Sequence, residues 1–191
     1  MDYKTIRLKK GKEESLGRFH PWVFSGAIAD LPDGIEEGDI VSVSDHSGHH
    51  IGLGHYQIGS IAVRMLTFGD EPVDDTFYAS RLQAAFRLRQ ALGLLRPDNN
   101  AYRLVHGEGD FLPGLVVDVY GTTAVLQAHS PGMHFSRDVI ARARTGIDGA
   151  GIENVYYKSE TTLPYKARLD PQNDYIIGSY STDVAEENGL K

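Results

Sequence analysis

Two carboxylates, Glu108 and Asp110, stand two residues apart in a loop that also holds Pro113 and three glycines. The apolar runs Leu104-Val105 and Leu115 to Val119 flank it, so the stretch reads as a hairpin or tight connection between two buried strands. Acids in such a loop can hold backbone N–H groups, a metal ion or a ligand hydroxyl. A carboxylate pair whose environments split their pKa values can also act as general acid and base, the chemistry of a small hydrolase. Asp and Gly favour turns for structural reasons too. Each acid is expected to accept hydrogen bonds from loop N–H groups or from nearby arginines such as Arg103. Nothing nearby in the chain supplies the shaped pocket that a hydrolase needs.

The histidines form a second cluster. Asp45-His46-Ser47-Gly48-His49-His50, followed by His55, contains good zinc ligands, yet a site needs three or four that converge. The spacing forces no convergence, so no metal ligand is assigned. Zero cysteines exclude disulfides, thiolate zinc sites and a cysteine nucleophile within these 191 residues. No Ser-His-Asp order, His-Glu-x-x-His or Walker loop appears. Gly107 to Gly109 opens into Pro113 and a strand, and Asp148 to Gly151 follows a helix. A cofactor loop needs a strand before it and a helix after it, so neither segment is assigned as one. No catalytic or cofactor-binding residue is assigned in this chain.

The third constellation is basic and aromatic. Net charge is −7, which argues against nonspecific coating of nucleic acid. The charge is nevertheless uneven. Residues 1–18 hold six Lys or Arg (Lys4, Arg7, Lys9, Lys10, Lys12 and Arg18) against three acids, giving +3. Arg81 to Arg103 holds five arginines against Asp98, giving +4, whereas residues 170–191 sum to −4. Lys9, Lys10, Lys12 and Arg18 beside His20 and Trp22 make candidate RNA contacts. Trp22 is either a core anchor or a platform on which a base stacks. The second island fits an RNA contact and a solvated helix face equally well.

The elements that position these residues divide the chain. Tyr3 to Leu8 alternates as a strand, and Lys12 to Gly17 reads as a short helix stopped by Gly17. Trp22 and Phe24 lie two apart on one side of a strand. Further strands are expected at Gly38 to Asp45, His50 to Gln57 and Ile61 to Leu66. Short strands at roughly ten-residue spacing predict a small β-barrel-like module over residues 1–70. A helix begins at Asp74 and ends at Gly93 and Pro97, making residues 71–97 a connection. Residues 98–191 then read as a small α+β domain with a strand-strand-helix-strand-strand pattern. Its third strand is Thr122 to Ala128, its helix Met133 to Arg144 ended by Gly146, and its fourth strand Val155 to Lys158. Tyr175-Ile176-Ile177 is too short to place. The whole is a mixed α+β chain without the strand–helix alternation of a doubly wound sheet. Nothing resembles a signal peptide or a membrane span, so a soluble cytoplasmic protein is expected.

Lys9-Lys10-Gly11 followed by His20-Pro21-Trp22-Val23-Phe24-Ser25-Gly26 resembles the opening of the ribosomal RNA large subunit methyltransferase I family. Arg103-Leu104-Val105 with Glu108-x-Asp110-x-Leu112-Pro113-Gly114-Leu115-Val116-Val117-Asp118 resembles that family's second signature. The resemblance implies an N-terminal PUA RNA-binding domain, a central α+β domain and a C-terminal Rossmann-like domain that binds S-adenosylmethionine. It implies methylation of C5 of a cytosine in ribosomal RNA by cysteine chemistry. The cofactor loop, an Asp-Pro-Pro type motif and the cysteine should all follow Glu187-Asn188-Gly189-Leu190. The expectation is therefore an RNA-recognition portion, truncated before the catalytic domain and inactive alone. A self-standing RNA-binding adaptor is the alternative. S-adenosylmethionine belongs to the full-length protein, ribosomal RNA is the expected partner, and a homodimer stays open.

Overall fold

The computed structural model describes residues 3–144 and 147–191. The helix stop expected at Gly146 lies outside the described residues. The chain forms two compact units, one of residues 1–73, 130–135 and 164–169 and the other of the remainder.

The first unit is built on a curled six-stranded sheet. Its strands are β1 (Thr5–Leu8), β2 (Trp22–Phe24), β3 (Ile28–Asp30), β4 (Ile40–Ser44), β5 (His50–Tyr56) and β6 (Ile61–Met65). They lie in the order β2-β6-β5-β4-β1-β3, with β1 and β4 parallel and the other pairs antiparallel. Period-two patterning decides which side faces inward. Ile6, Leu8, Val41, Val43, Val63 and Met65 come from alternate positions and form the core with Leu16 and Val23. The expected helix at Lys12 to Gly17 is instead a single 3-10 turn, Leu16–Arg18, which inserts Leu16 into that core. One buried anchor, rather than an apolar stripe, leaves a longer helix nothing to pack.

The short helix α1 (Pro131–Phe135) also belongs to this unit. Gly132 sits on the ring of His55 so closely that a Cβ would fall 2.1 Å from its Cγ. Any side chain here would displace the helix or the histidine.

The second unit opens with helix α2 (Asp75–Ala91), although it precedes α1 in the chain. Asp74 caps it by accepting the N–H groups of Thr76 at 2.9 Å and Phe77 at 3.0 Å. Phe77, Leu82, Ala85 and Phe86 on its inner face are buried. A five-stranded sheet follows: β7 (Ala101–His106), β8 (Leu115–Tyr120), β9 (Thr123–Ala128), β10 (Asn154–Tyr157) and β11 (Asp174–Ile177). The order is β11-β10-β9-β8-β7, with β9 and β10 parallel. Tyr175 to Ile177, not placed from sequence, completes this sheet as an edge strand.

The single helix expected at Met133 to Arg144 is interrupted. α1 ends at Phe135, and α3 (Arg137–Ala143) begins after Ser136, whose hydroxyl accepts from Tyr78 Oη at 2.9 Å. The two pieces belong to different units. At the C-terminal end Asn188 and Gly189 both take positive φ, 53° and 81°, and Glu187 pairs with Leu190 across them. Such φ values suit a two-residue hairpin loop. Among the described residues no helix is long and apolar enough to cross a membrane.

Candidate nucleic-acid interface

Between β1 and the Leu16–Arg18 turn the chain reverses at Lys9-Lys10-Gly11-Lys12. Lys12 N–H donates to the Lys9 carbonyl at 3.0 Å, and Gly11 has φ 79°. That conformation at the third turn position is open to glycine and strained for other residues. The turn presents Lys10 at its tip, and Lys9, Lys10, Lys12 and Arg18 are all exposed. Lys9 is partly committed: its Nζ donates to the Gly26 carbonyl at 2.9 Å.

The next strand carries the aromatic groups. Val23 is buried, whereas Trp22 is half-buried and Phe24 is 49% exposed on the opposite side. The core anchor of β2 is therefore Val23, and Trp22 faces outward. His20 and Trp22 meet at 5.5 Å between centroids, and Trp22 and Phe24 at 6.3 Å, with interplanar angles of 86° and 88°. Trp22 N–H donates to His20 Nδ1 at 3.2 Å, which leaves the His20 proton on Nε2. A cavity of about 320 Å³ opens beside the strand, lined by Lys12, Ser15, Leu16, Trp22, Phe24 and Gly26 among others. The lysine turn and the aromatic strand thus meet at one place, although eight residues separate Lys12 from Pro21.

The loop acids have a different environment. Asp110 is buried and receives both arms of Arg89, at 2.5 Å from Nη1 and 2.8 Å from Nη2. It also accepts the His106 N–H at 2.6 Å, and Arg89 Nε donates to the Arg103 carbonyl at 2.9 Å. The partner of Asp110 is Arg89 and not Arg103. Arg103 stands directly across from Asp118 in the β7–β8 register and forks onto it, at 2.8 Å and 3.1 Å. That carboxylate raises the pKa of Arg103 further. Glu108 is exposed on the same 3-10 turn, Gly107–Asp110. A carboxylate locked by a buried guanidinium is a poor proton shuttle, so acid/base hydrolysis by this pair has no geometric basis.

Sequence reasoning had no role for Arg89, yet the signal was present. It lies three, four and seven residues after Phe86, Ala85 and Leu82, which places a charge inside the apolar stripe of α2. Only a buried partner makes that position tolerable.

The histidines do not converge. His49 bonds to Asp45 at 2.9 Å, and this bond holds the Asp45 pKa down at about 2. His46 faces Glu13 at 3.6 Å, and His50 bonds to Ser42 Oγ and the Gly69 carbonyl. His55 is buried, and that burial, with Arg64 nearby, lowers its pKa to about 4. Among the described residues no group of three or more His, Asp or Glu could hold a metal ion.

Residues 6–68 match the profile of a PUA-like domain. The first unit is a PUA-like domain. That domain carries the lysine turn, the aromatic strand and the cavity. Across its length the chain is similar to ribosomal RNA large subunit methyltransferase I of Alteromonas mediterranea, with 38% identity over 189 residues. That match covers 97% of this chain and 47% of the relative. The protein of the same name from Escherichia coli is 39% identical over 188 residues, covering 96% and 47%. The chain thus spans about half the length of the relatives it matches. In fold it is similar to a structure described as a candidate SAM-dependent methyltransferase from Streptococcus mutans, with a TM-score of 0.78 and 16% identity. That likeness covers 97% of this chain and 46% of the other. A second structure, described as a candidate methyltransferase complexed with SAH, gives a TM-score of 0.76 at 16% identity.

Proposed function

We propose that this chain is the RNA-recognition portion of an S-adenosylmethionine-dependent methyltransferase that acts on large-subunit ribosomal RNA in the cytoplasm. On this reading residues 1–70 contact RNA, the 71–97 helix connects, and residues 98–191 form the central α+β domain. Methyl transfer and cofactor binding are assigned to residues beyond these 191. The observation that carries the reading is the PUA-like domain at residues 6–68 within a chain similar along 97% of its length to ribosomal RNA methyltransferases. The exposed Lys9, Lys10, Lys12 and Arg18 would neutralise phosphates, while Trp22 and His20 meet bases. Glu108 is exposed and Asp110 is tied to Arg89, so both are assigned structural or positioning roles, and Arg103 braces β7 against β8.

The test is fluorescence anisotropy of labelled ribosomal RNA fragments across a salt series. Binding should weaken as salt rises, because phosphate contacts release counterions. Affinity that is absent at low salt, or that does not respond to salt, overturns the reading.

A further inference from the structure

We infer that the cavity beside β2 receives a single unpaired nucleobase. This rests on the reading of the PUA-like domain as an RNA binder. At about 320 Å³ the space stands near the bottom of the roughly 300–1,000 Å³ span of small-molecule pockets, a fit for one heterocycle. Its lining combines the apolar and aromatic residues Leu16, Trp22, Val23 and Phe24 with the polar residues Lys12 and Ser15. A phosphate site would need several converging cations, and Lys12 is the only one among the lining residues. Both rings project from a strand whose register is set by pairing to β6 and by Val23 in the core. Their positions are therefore fixed before a ligand arrives, which spares the cost of ordering them. The contacts among His20, Trp22 and Phe24 are edge-to-face.

Lys10 and Arg18 lie at the surface of the same region and suit a charged backbone running past the cavity. A paired base cannot enter without leaving its stack, and loops or bulges offer one at the least cost. The preferred ligand is therefore an RNA hairpin with an unpaired base, not a duplex.

Trp22 is the sole tryptophan of the chain, so its intrinsic emission reports on this site alone. The full chain is titrated with a labelled hairpin, the same hairpin with abasic loop positions, and a fully paired duplex, reading anisotropy and Trp22 emission together. The hairpin should quench Trp22, and abasic loop positions should abolish the quench and weaken binding roughly tenfold, as loss of one stacking contact does. Phe24→Ala should weaken the hairpin similarly while leaving duplex affinity and the melting temperature unchanged. If the hairpin binds but Trp22 emission does not change and Phe24→Ala binds as tightly as the parent, the base receptor is overturned and the RNA-binding reading survives. If none of the three RNAs binds, both fall together.

Discussion

In the PUA-like unit Lys9, Lys10, Lys12 and Arg18 stay at the surface, while the buried ionisable group, His55, is uncharged near neutral pH. In the second unit a charged pair, Arg89–Asp110, is taken into the core, and most other cations are committed internally. Arg96 pairs with Asp98 at 3.1 Å, Arg103 with Asp118, and Arg81 lies 4.9 Å above the Phe77 ring. Two basic islands of similar formal charge thus differ in degree. In the first Lys4 and Lys9 bond to the carbonyls of Gly34 and Gly26 and Arg7 pairs with Asp30, while Lys10, Lys12 and Arg18 are exposed; the second ties Arg89 and Arg103 to buried carboxylates. A charge count along a sequence reports density but not whether each charge already has a partner.

The largest test of this contrast is Arg89→Ala. Removing one member of a buried ion pair strands the other, at a cost of about 3–5 kcal/mol. The melting temperature should drop by roughly 10 °C or more. Asp110→Ala should behave alike, and Arg89→Lys, which keeps the charge but loses the fork, should fall between the parent and these two. Melting temperatures within a degree or two of the parent would remove the pair from any structural role.

The second test concerns His55. Its folded pKa of about 4 lies below the ordinary 6.5, so the unfolded chain takes up this proton first as pH falls. The stability it permits is complete above about pH 6.5 and declines until about pH 4, by roughly 3 kcal/mol over that window. Asp45, held near 2 by His49, adds a separate loss between about pH 4 and 2. Thermal melts from pH 7.5 to 4 should show the decline, and His55→Gln should flatten it. A decline of equal slope in the variant would assign the proton uptake to another group.

Charge reversal at Lys9 and Lys10 should weaken RNA binding about tenfold at moderate salt and lower the salt slope by roughly 1.5. Melting should change little, because exposed substitutions usually stay within about 0.5 kcal/mol. The smallest effect is expected from Arg96→Glu in the second island, less than about twofold in RNA affinity. If Arg96→Glu matters more than the lysine pair, the assignment of the two islands is reversed.

Much of this was legible because period-two patterning survives in the strands. Ile6 and Leu8, Val41 and Val43, and Val63 and Met65 alternate cleanly, and all are buried. β3 was not legible: Ala29 and Asp30 are exposed and Ile28 is only half-buried, so three residues offer no alternation. The break at Ser136 was hidden because helical periodicity is a local property, whereas the two pieces pack in different units. The candidate site was half legible. Residue types marked Lys10, Lys12 and Trp22, but the cavity exists only because the chain folds back between Arg18 and Trp22.

The PUA-like unit is assembled from three separate stretches of chain. Its sheet and core come from residues 5–65, so what remains open on the ribosome when residue 73 emerges is the surface that the later stretches cover. His55 waits for Gly132 to arrive, and Gly38 for Phe135, whose ring fills the space a Cβ at Gly38 would occupy. At roughly 5–20 residues per second that interval lasts about 3–12 s. Throughout it the six-stranded sheet leaves these surfaces open, and residues 164–169 arrive later still, so the chain that follows residue 73 sets a timer on the unit's completion as well as the second unit's architecture.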